Sequence, residues 1–332
     1  MNTNSFDALV VDKQGDQFKV GLQKMKLEEL SQGEVVIRVH YSSLNYKDGL
    51  ACIPNGGVVR SYLHIPGIDL AGTVVSSMDS RFSIDQKVIV TGFGLGVSHS
   101  GGFSTIARVP ADWIVPLPPA LELDEAMVIG TAGLTAALSI ERLEHNGLNP
   151  QSGAVLVTGA TGGVGSFAVA LLAARGYRVA ASTGKSEEHD YLRMLGAHEI
   201  ISREALNPSS RRPLEKQAWA AAVDPVGGSS LAYILASLQY GGSVAVSGLT
   251  GGGDLPTTVH PFILRGANLL GIDSVHYPIE RRYPLWEQIA DDLKFNGNLK
   301  RIGSRRIRLS EIPTYVENIL DGRIRGRVVI EM

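Results

Sequence analysis

Two rhythms of apolar residues divide this chain. Over residues 6–115 they come in short runs, branched or alternating with polar residues: Phe6–Val11, Val35–Tyr41, Ala71–Ser76, Gln86–Val90 and Phe103–Val109. Such runs read as strands. Pro66-Gly67, Gly101-Gly102 and Pro116–Pro119 punctuate them with turns. A small, barrel-like β-rich domain is expected there. After Pro119 the spacing becomes helical, with Glu122–Ile129 and Thr131–Leu143 read as two helices split by Gly130. His145–Ser152 reads as a linker.

From Gly153 onward strand and helix patterns alternate. Ala154–Thr158 is a short apolar run suited to a strand buried on both faces. Gly159, Gly162, Gly163 and Gly165 follow at once, then a helical run over Val164–Ala174 and a second strand over Tyr177–Ser182. This is one βαβ unit with its glycines at the first strand-to-helix turn. Glycine suits that turn because the backbone must approach a pyrophosphate closely, with N–H groups at the helix start binding it. The spacing is Gly-x-x-Gly-x-x-Gly, which supports dinucleotide binding only because strand, turn, helix and strand surround it.

The alternation continues. Glu187–Leu195 reads as a helix, His198–Ile201 and Trp219–Val223 as strands, Gly228–Gln239 as a helix, and Ser243–Ser247 and Asn268–Ile272 as strands. Alternating βα elements imply a doubly wound parallel sheet with right-handed crossovers. Pro278–Asn296 is a long helix with Trp286, Ile289 and Leu293 on one face. Arg305–Met332 offers a strand, a helix at Glu311–Leu320 and a strand at Gly326–Ile330. That tail cannot build a core alone, so it is expected to rejoin the N-terminal domain.

The end of the second βαβ strand narrows the cofactor. An NAD site places an acid about 20 residues beyond the first glycine, on the ribose 2′-hydroxyl. Here the stretch is Ser182-Thr183-Gly184-Lys185, with no acid before Glu187. A 2′-phosphate fits better than a bare diol, because no carboxylate repels it and Lys185 can pair with it. Arg203, after the next strand, is a candidate second cation. NADP(H) is therefore expected over NAD(H).

Charge and cysteine content narrow the classes further. The chain has 332 residues, 31 basic against 33 acidic, and a formal net charge of −2. That balance argues against nucleic acid as a main partner. One cysteine, Cys52, allows no internal disulfide and no cysteine-based structural zinc site. The start, MNTNSFDALVVDKQ, has neither a basic n-region nor a long apolar stretch. The most apolar helix, around Phe167–Ala174, is too short to span a bilayer. A cytoplasmic protein with no membrane partner is expected.

Four segments carry a family resemblance: Ser43-Leu44-Asn45-Tyr46-Lys47-Asp48, Ile65–Gly72, Gly130–Ala136 and Thr158–Gly165. Together with the domain plan they resemble the medium-chain dehydrogenase/reductase superfamily over essentially the whole chain. The resemblance implies a Rossmann domain at residues 127–272, inserted into a GroES-like catalytic domain at 1–126 and 273–332. Within the superfamily the chain is similar to the YhdH/AcuI type of NADPH-dependent acryloyl-CoA reductases, often labelled quinone oxidoreductase-like. Leu214–Trp219, Leu255–Val259, Pro261–Arg265, Gly271–Val275 and Glu280-Arg281-Arg282 carry that closer likeness.

The resemblance implies a reaction and a site. The superfamily's alcohol dehydrogenases bind zinc through a cysteine and a Gly-His-Glu segment. The matching segment here is Pro66-Gly67-Ile68-Asp69, and Ile68 cannot ligate. No metal is expected, which shifts the chemistry from alcohol oxidation toward reduction of an activated C=C bond. Hydride would pass to the β-carbon of acryloyl-CoA and give propanoyl-CoA, with a quinone or enone reductase as the alternative. Tyr46, with Asn45 beside it, is carried over to the nicotinamide end of an interdomain cleft. Tyr46 either donates a hydrogen bond to nicotinamide, ribose or substrate, or packs the cofactor. Water is a candidate proton source. Thr161, Gly162, Gly163, Val164, Ser182, Thr183, Gly184, Lys185 and Arg203 are expected on NADP, with Leu249, Ile263, Ser274 and Arg327 completing the set. Lys185 stands where relatives of this type often carry arginine. Lys300, Arg301, Arg305, Arg306 and Arg308, with Arg281 and Arg282, either hold the CoA phosphates or form a solvated basic face. The resemblance also implies a homodimer paired near Asn268–Asp273.

Overall fold

The computed structural model describes residues 5–15, 17–208, 212–293, 297–303 and 305–332. The first four residues of the N-terminal reading, and the end of the expected helix at 294–296, lie outside them. The chain forms two compact units. The first draws on the chain up to Thr131, on Val275–Ala290 and on Leu299–Met332, and the second on Ala132–Ser274 and Asp291–Asn298.

The first unit opens with an antiparallel ribbon, β1 (Phe6–Gln14) on β2 (Gln17–Met25). β1 buries Ala8–Val11 completely. β2 is absent from the sequence reading because its lysines and glutamines face solvent and leave no apolar run. β3 (Val35–Ser43), α1 (Tyr46–Ala51), β4 (Asp69–Ser77), β5 (Lys87–Thr91), β6 (Ile106–Val109) and β7 (Ile114–Pro116) follow. α1 and β7 are also new, each too short to show a period.

α2 (Leu123–His145) then carries the chain from the first unit to the second. Its length and apolarity would let it cross a membrane, but most of that apolar stretch is buried in the fold. It is broken at Gly130, where φ is 49° and ψ is −157°, so it is two helices joined at a kink. A Cβ at Gly130 would lie 2.6 Å from Asp69 Oδ2, 2.8 Å from Arg327 Nη2 and 2.9 Å from Ser43 Oγ. Only glycine satisfies both the backbone angle and that approach.

The second unit is one parallel sheet. Its elements are β8 (Ala154–Val157), α3 (Gly163–Ala174), β9 (Arg178–Thr183), α4 (His189–Met194), β10 (Glu199–Ser202), β11 (Trp219–Asp224), α5 (Gly228–Ser237), β12 (Leu238–Val246), α6 (His260–Arg265) and β13 (Asn268–Gly271). The strand order is β10-β9-β8-β11-β12-β13. All five pairings are parallel. This is the doubly wound Rossmann order, which leaves a crevice at the carboxyl ends of β8 and β11, where the winding reverses.

The tail is α7 (Ile279–Leu293), α8 (Asn298–Ile302), β14 (Arg305–Arg308), α9 (Ile312–Leu320) and β15 (Val328–Glu331). α7 buries Trp286, Ile289 and Leu293. β15 pairs antiparallel with β3, so the first unit's main sheet runs β14-β15-β3-β4-β5-β7, with β6 also on β3. Ile307, Ile312 and Val328 share a core with Leu9 and Phe103. Each such buried side chain contributes about 1.5–3 kcal/mol.

Gly130→Ala is expected to destabilise the first unit by at least about 1–3 kcal/mol, the cost of a non-glycine residue in that backbone region. Urea unfolding of the two proteins measures it, as a lower midpoint at unchanged slope.

Candidate active site

Strand register assembles one edge of the first unit. Val329 pairs with Ser43, Leu70 with Ser42, and Asp69 with Thr91. The end of β3, the start of β4, the end of β5 and the start of β15 therefore lie side by side. The loop leaving β3 delivers Asn45 and Tyr46 to that edge.

Asp69 is fully buried at its centre. It accepts hydrogen bonds from Ser43 Oγ (2.6 Å), Asn45 Nδ2 (2.9 Å), Thr131 Oγ1 (2.5 Å) and Thr131 N (3.0 Å). Arg327 Nη2 lies 3.5 Å away. The Arg327 guanidinium also donates to Val128 O (3.1 Å), Leu44 O (3.2 Å), Asn45 Oδ1 (2.9 Å) and Ser43 Oγ (2.7 Å). A guanidinium has five N–H donors, so the Arg327 side chain has none left for a cofactor. In this structure the Arg327 side chain acts as a structural brace.

Asn45 is committed in the same way. Its two amide hydrogens are shared among Asp69 Oδ2 (2.9 Å), Asp48 Oδ2 (3.1 Å) and Ser43 O (3.3 Å). Asp48, three residues on, accepts Asn45 N (2.8 Å) and Ile68 N (2.9 Å). Burial, reinforced by the charge of Asp69, pushes the Asp48 carboxyl up to about 7, against hydrogen bonds from Asn45 and Ile68. Asn45 thus holds the loop, and Tyr46 is the polar member of the pair that reaches solvent, at 36% exposure.

In the second unit the expected cofactor residues gather at the carboxyl edge of the sheet. Thr161–Val164 sit between β8 and the first turn of α3, and Ser182–Lys185 end β9. Arg203 follows β10, Leu249 follows β12, and Ser274 follows β13 and accepts a hydrogen bond from Thr135 Oγ1 at 2.8 Å. Ile263 stands apart, on the crossover helix α6. Asp224, fully buried at the end of β11, accepts from Thr158 Oγ1 and from Gly227 N (2.8 Å). Burial raises its pKa. This pair braces the crevice where the winding reverses.

The residues at this edge fit a dinucleotide. The α3 turn is closed so tightly that a Cβ on Gly165 would overlap Gly159 O. A Cβ on Gly184 would overlap the Arg203 guanidinium, so Arg203 lies against the bare backbone next to Lys185. Burial lowers the Lys185 pKa, Glu188 and Glu187 raise it, and Arg203 lowers it again. Two adjacent cations that repel each other are a fitting seat for a phosphate. Ser182 and Thr183 are buried, which leaves Gly184, Lys185 and Arg203 as the accessible part of that stretch.

Known proteins match this architecture along its length. Residues 31–119 match the alcohol dehydrogenase GroES-like domain, and residues 163–291 match the zinc-binding dehydrogenase family. "Putative quinone oxidoreductase YhfP" of Bacillus subtilis is 55% identical, with 98% of this chain and 99% of that protein aligned. The chain belongs to the medium-chain dehydrogenase/reductase superfamily. "Acrylyl-CoA reductase AcuI" of Ruegeria pomeroyi is 50% identical over 98% of this chain and 99% of its own length. The crystal structure of the yhdH oxidoreductase from Salmonella enterica, in complex with NADP, superposes with a TM-score of 0.95 at 46% identity, covering 98% and 99% of the two chains. The YhfP crystal structure, with NAD bound, superposes at 0.96 with 54% identity, covering 99% and 100%.

Many members of the superfamily carry zinc, and the residues here do not fit it. Among the described residues no group of three or more His, Cys, Asp or Glu could hold a metal ion. Cys52 is buried, and burial together with Asp48 pushes its thiol up to about 12, away from the thiolate a metal requires. The expected basic face is also thinner than the sequence implies. Arg282 is fully buried, and Arg306 is paired with Asp124 and with Glu331 (3.4 Å). Sequence reading missed Asp48, Asp69 and Thr131. Only Asp69 carries a local signal, an acid opening an otherwise apolar strand, while Asp48 and Thr131 are brought to it by the fold.

Lys185→Ala, Arg203→Ala and Gly184→Ala are each expected to raise the KM for NADPH and leave that for NADH little changed. One charge-assisted hydrogen bond is worth about 1.5–3 kcal/mol, or about 10–100-fold. Steady-state kinetics with both cofactors measures the split. The Asp48 proton is held more tightly in the folded than in the unfolded chain. Its contribution is complete below about pH 4 and is lost as pH rises to about 7. The stability of wild type relative to Asp48→Asn should therefore fall over that range, on the order of 1.4 kcal/mol per pH unit, and level off above it. Denaturant unfolding at a series of pH values checks the sign.

Proposed function

We propose that this chain is an NADPH-dependent oxidoreductase that reduces the C=C bond of acryloyl-CoA to propanoyl-CoA without zinc. The observation that carries the reading is full-length likeness to an acrylyl-CoA reductase, joined to a polar first-unit edge that offers Tyr46 and, among the described residues, no metal-binding cluster. Gly162, Gly163 and Val164 would hold the pyrophosphate, and Lys185 and Arg203 the 2′-phosphate. Thr161, Leu249 and Ser274 lie along the same edge of the sheet. Bound NADPH supplies a hydride to the β-carbon of the enoyl thioester.

The chain's own residues then manage charge and water. Negative charge develops on the thioester oxygen as an enolate. We assign its hydrogen-bond donor to the Tyr46 hydroxyl, which makes no hydrogen bond among the described residues. Asn45, Asp48 and Asp69 keep Tyr46 in place without touching substrate. Water delivers the proton to the α-carbon. A donor fixed before the reaction needs no reorganisation as charge appears, which is where most of its value lies.

One observation favours a second reading. The relative at 55% identity bears a quinone oxidoreductase name, and its crystal structure holds NAD. Reduction of quinones or enones would use the same residues.

We also propose a homodimer in the cytoplasm. β13 is an edge strand four residues long that exposes Leu269, and Ile263 and Leu264 on α6 are exposed beside it in sequence. An apolar edge of this kind is an aggregation hazard unless a partner covers it.

Tyr46→Phe should lower kcat by about 10²–10³-fold with acryloyl-CoA, the loss expected for one oxyanion donor. A loss confined to NADPH affinity would make Tyr46 a packing residue. Parallel NADPH-oxidation assays with acryloyl-CoA and with a quinone decide between the two substrate classes. The higher kcat/KM is expected for acryloyl-CoA.

A further inference from the structure

Among the described residues two non-glycine residues have positive φ, Asp85 at 65° and Phe93 at 52°. An aspartate tolerates that region, whereas a bulky aromatic is an outlier there, and such strain gathers at functional sites. Phe93 lies two residues beyond Thr91, the strand partner of Asp69. Gly92 N donates to Ile68 O (3.2 Å), and Ile68 N donates to Asp48 Oδ1 (2.9 Å). Two hydrogen bonds therefore link the Phe93 backbone to α1, the helix that begins with Tyr46.

The ring is fixed by its faces. The Arg282 guanidinium carbon stands 4.2 Å from the ring centroid, and Trp113 stacks on the ring at 5.6 Å with 7° between planes. Arg282 is itself immobilised, donating to Thr91 O (2.6 Å), Thr91 Oγ1 (3.0 Å), Val275 O (2.9 Å) and Tyr277 O (3.0 Å). Phe93 N donates to Val275 O (2.9 Å), closing the grip. A buried arginine with four such bonds would be an expensive way to pack one surface phenylalanine. Phe93 remains half-buried, on the loop leaving β5 at the same sheet end as Tyr46.

We infer that Phe93, clamped by Arg282, is a specificity-determining wall that limits the size of the group on the β-carbon of the substrate. The inference rests on the enoyl-CoA reading above, and on it a short acryloyl group is accepted in preference to longer homologues. Arg282 acts through Phe93 and is a positioning residue. Its burial fits neither a CoA-phosphate patch nor a solvated basic face, the two readings open from the sequence.

The test is a kcat/KM panel with NADPH over acryloyl-CoA, crotonyl-CoA and 2-hexenoyl-CoA. It compares wild type with Phe93→Ala and with Phe93→Gly, which accepts the left-handed backbone freely. Circular dichroism and urea unfolding, measured alongside, report that each variant is folded. One methylene in an apolar pocket discriminates by about 10–200-fold. Both variants should therefore raise the hexenoyl-to-acryloyl ratio by about tenfold or more. Arg282→Lys, which keeps the charge but gives up the fork, should move the ratio the same way. An unmoved ratio in folded variants overturns the wall, and an unmoved ratio in Arg282→Lys alone overturns the clamp. If wild type reduces quinones and no enoyl-CoA, the reaction reading fails. The wall is then judged by the ratio of a naphthoquinone to benzoquinone, which must rise in Phe93→Ala. A chain inert to both classes overturns the wall together with the reaction.

Discussion

One buried carboxylate organises the first unit. Asp69 has no solvent exposure and collects donors from β3, from the loop after it, from the kink in α2 and from the residue before β15. A charge so placed costs several kcal/mol to desolvate, and the structure offsets this by satisfying its oxygens. Removing one partner would strand either Asp69 or Arg327 as an unpaired buried charge, a loss of about 3–5 kcal/mol. The arrangement therefore behaves as a unit. It also bears on two features of the chain around it: Gly130 must be glycine, and Asp48, already pushed toward the neutral form by burial, is pushed further by the Asp69 charge.

That unit explains how a six-residue helix can hold Tyr46 in a fixed place. α1 is too short to hold itself. Asn45 and Asp48 tie its first turn to Asp69 and to Ile68, so Tyr46 rides on an over-determined anchor. The Phe93 loop hangs from the same strand ends. The second unit solves a different problem with backbone. Its sheet delivers glycines, Lys185 and Arg203 to one edge, where close approach and positive charge are what a dinucleotide phosphate requires.

The second unit was the more legible. β8, α3 and β9 stand within a residue or so of the sequence reading, because a buried parallel strand and a glycine turn both leave strong local signals. The break in α2 at Gly130 was legible for the same reason. Its cause was not, since Asp69 and Arg327 are 258 residues apart. β7 and α1 are too short to show a period, and in β2 the alternation of Phe18, Val20 and Leu22 is masked by the lysines and glutamines around it. Arg282 looked like surface charge beside Arg281. Only the fold shows that it is buried against the carbonyls at Thr91, Val275 and Tyr277. Asn45 and Arg327 stand out in the sequence only through the family likeness, and in this structure their side chains hydrogen-bond to protein groups.

The central claim is that hydride passes to the β-carbon of acryloyl-CoA. Turnover of acryloyl-CoA with NADPH carrying deuterium at the transferable C4 position, followed by mass spectrometry and NMR of the product, tests it directly. The account predicts propanoyl-CoA with one deuterium, located on the β-carbon, and a solvent-derived hydrogen on the α-carbon. Unlabelled product, label at the α-carbon, or cofactor oxidation without propanoyl-CoA would contradict it.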